Sequence, residues 1–424
     1  MKRGAGLIGR ILFLVALVMT ASVFLGAPYR SPEAPHIGEG GLPQFEMVQG
    51  WPKVPSKWKM GSGSDIAADS EGNLWVLSRP HTVKFGASPP TGPPDLTATP
   101  APPVMEFDNK GNFIRGWGGE SGPGYQWPSN EHGITVDEKG FVWITGNADG
   151  EQNNPAHLPN DNQVLKFTKE GKFVMAIGKS GQTGGNSNDV LKGATGVRYY
   201  AKRNEVFVSD GYGNSRIIVF DADTGKMKRM WSAYGNKPLD RDQRPPAAKP
   251  RFELWVCPLV CGIWQTFQQF ELPHDVLISS DDLVYVSDRG NKRLQVFTVD
   301  GKFIAEQYFG LDNYYPYQAR SVALSPDERF LYVAGTPVVY IVNRRTLEIL
   351  GSFTLPPGSE EHPPGHKIAT DKFGNIYLSK ADVTGPDIAK NGGVGAYKFA
   401  FKGYSPKTLC CQTTKSYDTS NSGH

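Results

Sequence analysis

Apolar residues in this chain come in short runs, rich in Val, Ile, Leu, Tyr and Phe. Clusters of Gly, Pro, Asn, Asp and Ser separate them. From Phe270 to Phe297 the pattern (FELPHDVLISSDDLVYVSDRGNKRLQVF) predicts three strands in succession: Val276–Ile278, Leu283–Ser287 and Leu294–Phe297. Ser-Ser-Asp-Asp forms the first turn. A fourth strand, Lys302–Tyr308, follows the Asp300-Gly301 turn. Four antiparallel strands in about 40 residues are the size of one β-propeller blade.

The same unit recurs along the chain. Repeats are read at Ser64–Trp117, Glu131–Gly178, Thr195–Gly235, Phe270–Gly310, Arg320–Phe353 and Gly365–Phe401. D-x-x-G turns recur between first and second strands at Asp69–Gly72, Asp137–Gly140 and Asp371–Gly374. Gln44–Trp51 stands alone and resembles the last strand of a blade. Lending it to the sixth blade would remove the ring's open edge. The predicted fold is therefore all-β: a six-bladed β-propeller over residues 44–404, closed by an N-terminal strand.

Four insertions, Pro80–Pro103, Gly150–Asn162, Asn236–Trp264 and Ala381–Gly393, all fall in loops that a propeller places on one face. Long loops in a compact fold are commonly functional.

Composition changes the picture little. The 49 glycines and 33 prolines suit a chain with many turns. A net charge of +3 without a basic stripe excludes a nucleic-acid partner. At the N-terminus, Lys2, Arg3 and Arg10 flank the apolar run Ile11–Ala27. Residues 1–30 read as an export signal or as an uncleaved membrane anchor. Either reading puts the body outside the cytoplasm, periplasmic or extracellular, with anchoring as one form. Residues 31–43 read as a linker and 405–424 as a polar tail. A monomer is expected. Cys257 and Cys261 are spaced for a local disulfide. A zinc reading of these two with Cys410 and Cys411 lacks a histidine at the usual spacing.

The candidate chemistry appears when the blades are aligned just ahead of their inner strands. That column holds Ser64, His132, Thr195, His274, a position near Arg320, and His366. Histidine occupies the second, fourth and sixth blades only. In a six-fold ring this sets three imidazoles in a triangle on the channel axis. Three neutral imidazoles with an open fourth position form the catalytic zinc arrangement. Second strands end on the same face, bringing Arg79, Tyr212 and Arg289 there. Tyrosine can move a proton, and arginine can clamp a carboxylate.

These residues carry a family resemblance. The repeats look like NHL repeats. HGITVD, SDGYGNSRI, LPHDV with VSDRGN, and GHKIA, together with Arg79, resemble the peptidyl-α-hydroxyglycine α-amidating lyases from Ser64 to about Phe401. The resemblance implies a carbon–nitrogen lyase that turns an N-acyl- or peptidyl-α-hydroxyglycine into an amide and glyoxylate. It implies zinc on His132, His274 and His366, with Tyr212, Arg79 and Arg289 at the substrate. It also implies a channel calcium held partly by the backbone carbonyls of Ile66 and Ile134. Lys367 departs from the family pattern, standing where an acidic calcium ligand is found. Gly213 departs too, standing where animal members have a disulfide cysteine. Two other functions fit a six-bladed propeller: a non-catalytic NHL module that binds a protein or peptide on its top face, and a lactonase-type metal hydrolase. The hydrolase would want carboxylate and Asn ligands rather than three histidines.

Overall fold

The structure is a computed structural model. It describes residues 41–85, 97–148, 161–182, 184–186, 190–240, 243, 268–310, 319–335, 337–354, 365–381 and 395–405. Six four-stranded antiparallel sheets form the ring. The first blade comprises Ser62–Ala68, Leu74–Arg79, Val104–Phe107 and Phe113–Trp117. The second comprises Glu131–Val136, Phe141–Gly146, Gln163–Thr168 and Phe173–Gly178. Blades three, four and five open on Ala194–Tyr200, Pro273–Ile278 and Ser321–Leu324. In the sixth, Ile368–Thr370, Ile376–Ser379 and Ala396–Tyr404 are joined by Pro43–Val48. The N-terminal strand thus closes the ring, as the sequence predicts.

The D-x-x-G turns show why these residues make hairpins. In the second blade, Asp137 Oδ1 accepts from the Lys139 and Phe141 amides at 3.0 and 2.8 Å. Its Oδ2 accepts from Trp143 Nε1 at 2.8 Å. Gly140 turns the chain at φ +82°, a left-handed value that glycine takes without strain. Asp69 and Asp371 do the same for Trp75 and Tyr377. The core lies between the faces of adjacent blades. Phe207, Ile217 and Val219 of the third pack on Val276, Val284 and Phe297 of the fourth, all buried.

One feature of the inner strands was not predicted. They begin earlier than the apolar pattern suggests, and the pairing slips by one residue at their start. The slip falls between Gly63 and Asp65, Glu131 and Gly133, Ala194 and Gly196, and Pro273 and Asp275. The extra residue in each bulge is Ser64, His132, Thr195 or His274. Such a bulge leaves one residue out of the ladder and re-aims its side chain.

Two expectations need correction. Membrane anchoring and an exported location both rested on residues 1–30, which lie outside the described residues. Among the described residues no helix is long and apolar enough to cross a membrane. The four cysteines, residues 406–424 and most of the four insertions also lie outside the described residues.

Candidate metal centre

The bulges aim His132 and His274 at the channel axis, and His366 joins them just ahead of the sixth blade's short inner strand. Ring centroids are 4.9 Å apart for His132–His274 and His132–His366, and 4.8 Å for His274–His366. One ligating atom from each lies within 4.8 Å of the other two, and all three residues are buried.

Backbone carbonyls of the neighbouring blades set the tautomer. Nδ1 of His132 lies 2.7 Å from the Thr195 carbonyl, that of His274 2.8 Å from Arg320 and that of His366 2.6 Å from Ser64. A carbonyl only accepts, so each Nδ1 carries the hydrogen and each Nε2 keeps a lone pair. The acceptors belong to the same aligned column as the histidines, one blade further on. Even blades thus supply ligands, and odd blades supply the carbonyls that orient them, the usual support for metal-binding imidazole.

Electrostatics keep the rings neutral. Burial holds all three imidazoles well below their ordinary range. The charges of Lys367 and Arg79 add to this at His132, and those of Lys367 and Arg289 at His274. His274 Nε2 is a buried polar atom with no hydrogen-bond partner. Three unprotonated nitrogens converging in a buried site, one of them unsatisfied, fit a divalent ion of the zinc type.

Two of the three other predicted residues meet beside this tripod. Tyr212 packs against His132 and His274, with centroids at 5.2 and 6.2 Å. Its hydroxyl lies 3.3 Å from His132 Nε2 and donates to it. Arg289 Nη1 donates to the Tyr212 hydroxyl at 3.4 Å. Arg79 reaches the same end of the channel by another route: its Nε donates at 2.9 Å to the carbonyl of Glu131, the residue before His132.

The predicted calcium position looks different. Ile66 and Ile134 lie on the inner strands of the first two blades, and their amides donate to the two oxygens of Asp65 at 2.7 and 2.9 Å. The Ile134 carbonyl already accepts from Arg198 Nη1 at 3.3 Å. Lys367 is fully buried and its ammonium lies 3.6 Å from Asp275 Oδ1. A layer already holding an ammonium and a guanidinium does not fit calcium.

Sequence reasoning missed Arg198, as well as Arg320 as the carbonyl behind His274. Arg198 carries no motif, and its place in the channel depends on which face of its strand points inward. Glu131 was missed too; burial pushes its carboxyl up to about 7.

Fold and site together define a six-bladed β-propeller with a tri-histidine centre capable of holding a metal ion. An NHL repeat model matches residues 270–297. The chain is 26% identical to mouse NHL repeat-containing protein 3, over 69% of this chain and 67% of that protein. It is 27% identical to the peptidylglycine alpha-amidating monooxygenase of Rattus norvegicus over 59% of this chain. It spans only 22% of that relative's length. A probable peptidyl-alpha-hydroxyglycine alpha-amidating lyase of Caenorhabditis elegans is 29% identical over 39% of this chain and 36% of its own. The resemblance to propellers of the amidating-lyase type is therefore borne out.

Proposed function

We propose that this chain is a zinc-dependent lyase that cleaves the C–N bond of a peptidyl- or N-acyl-α-hydroxyglycine, releasing an amide and glyoxylate. The observation that carries the reading is the tripod: three neutral imidazoles, each with Nδ1 tied to a carbonyl and a lone pair on Nε2. His132, His274 and His366 would hold the ion, which supplies Lewis-acid polarisation to the substrate hydroxyl.

The rest falls to the chain's own side chains. Arg289 and Arg79 bind the substrate carboxylate and orient the C–N bond. In its phenolate form Tyr212 takes the hydroxyl proton and becomes the neutral phenol. The O–H electron pair becomes the new C=O bond of glyoxylate as the C–N pair leaves with nitrogen. Tyr212 then returns its proton to that nitrogen, giving the primary amide. Support for this role is the position of its hydroxyl, 3.3 Å from a ligand nitrogen and 3.4 Å from Arg289.

Zinc-loaded protein given N-benzoyl-α-hydroxyglycine should release glyoxylate. Tyr212→Phe should lower kcat on the order of 10²-fold or more, the scale of a lost acid–base group. Undiminished turnover by the variant would remove Tyr212 from the mechanism. The long match to NHL repeat-containing protein 3, whose name specifies no reaction, favours the second reading, a non-catalytic binding propeller. Absence of both stoichiometric zinc and turnover would leave that reading standing.

A further inference from the structure

We propose that Lys367 is a built-in cation, doing below the tripod what a divalent ion would otherwise do. By this reading it is a positioning residue for His274, and the protein is independent of calcium. Lys367 follows His366 in the sixth blade, but its side chain crosses the channel. Its ammonium donates to the backbone carbonyl of His274 in the fourth blade. It also pairs with Asp275, the next residue in that blade. One buried side chain therefore ties two of the three ligand-bearing blades together, at the residues that carry the ligands.

The surroundings are shaped for it. Gly196, on the inner strand of the third blade, leaves the necessary space. A Cβ there would lie 3.3 Å from Lys367 Nζ and 3.0 Å from Asp275 Oδ1. Arg198 closes the same layer: its Nη2 lies 3.5 Å from Asp275 Oδ1 and its Nη1 binds the Ile134 carbonyl. Asp275 also accepts from its neighbour's amide at Val276 and from the Ser321 hydroxyl of the fifth blade. Carbonyl, carboxylate and central cation are all present, and the cation is covalently part of the chain. A second, divalent cation would have to displace the Lys367 and Arg198 contacts that already occupy the Asp275 carboxylate and the His274 and Ile134 carbonyls.

The inference rests on the tripod being a metal centre but not on the lyase reaction, so its test avoids turnover. Two quantities are measured on full-length protein: the thermal midpoint, with and without zinc, and zinc affinity by chelator competition. Each is taken in EGTA and in millimolar calcium chloride. The wild type should be indifferent to calcium in both. Lys367→Met should weaken zinc binding on the order of tenfold, the scale of a lost supporting contact, with no recovery in calcium. Lys367→Asp should show the same loss in EGTA and recover in calcium, a response that a residue which merely fills space would not give. A calcium-dependent midpoint in the wild type would overturn the proposal, and that measurement needs no variant. Unchanged zinc affinity in a folded Lys367→Met protein would overturn it equally.

Discussion

His81 shows how one side chain can give the stability of this protein a pH dependence. It opens the one-turn helix His81–Phe85, two residues after Arg79. Burial, helped by the Arg79 charge, pushes its imidazole down to about 4. An unfolded histidine titrates near 6.5. Between these values the unfolded chain binds a proton that the folded one refuses, so stability falls as pH falls. The stability linked to this residue is fully present above about pH 6.5 and should be lost down to about pH 4. The loss should approach ~3 kcal/mol at the low end, at about 1.4 kcal/mol per pH unit. Urea unfolding of the wild type and His81→Gln across that range should show the wild type losing this much more. Parallel curves would mean that the helix opens locally and relieves the charge.

At the scale of elements, the hairpin turns were readable in the sequence and the bulges were not. The D-x-x-G spacing already contains the physical cause, a carboxylate capping the next amides with glycine at the corner. Asp137 and Asp108 make a useful pair. Each accepts two backbone amides, but only Asp137 also satisfies a buried indole N–H. Asp137→Ala should cost about 2–4 kcal/mol, the lost bonds plus a stranded buried donor. Asp108→Ala, at a more exposed turn, should cost about 1 kcal/mol. Urea midpoints would separate them, and equal losses would show that the indole bond contributes nothing.

The histidine column was visible because three identical residues recur at one register. That each sits outside the ladder was not. Periodicity along one strand cannot reveal a slip of two residues against one on its partner. The destination of Lys367 was equally hidden. Its charge argued against calcium, but only the folded ring shows it crossing to the His274 carbonyl.

At the scale of the whole molecule, the ring depends on a strand drawn from the far end of the chain. Pro43–Val48 pairs with Ala396–Tyr404. Phe45 packs there against Tyr332, Phe353 and Phe401, spanning the fifth and sixth blades. Phe45→Ala should cost about 2 kcal/mol, less than a fully buried phenylalanine because this ring is half-buried. Removing residues 43–48 should do worse. It bares the edge of Ala396–Tyr404, and bare edges pair with other chains. Light scattering during a thermal ramp should show early aggregation of the truncated protein but not of Phe45→Ala. Closure itself was legible, because a lone strand at one terminus and a blade short of a strand at the other have one common solution.

The alternation of ligand blades and carbonyl blades has a stereochemical consequence. It gives the tripod nearly three-fold symmetry, so its three ligand arms offer a substrate three nearly equivalent orientations about the channel axis. The reacting carbon of an α-hydroxyglycine bears four different groups and comes in two mirror forms. Holding one form in a single reactive pose takes a group that singles out one of those orientations. Among the described residues, one tyrosine ring stands against the tripod: Tyr212, beside His132 and His274. The residue proposed to move the proton is thus also one that would single out an orientation of the substrate about the axis, and loss of its ring would blunt rate and selectivity between the mirror forms together.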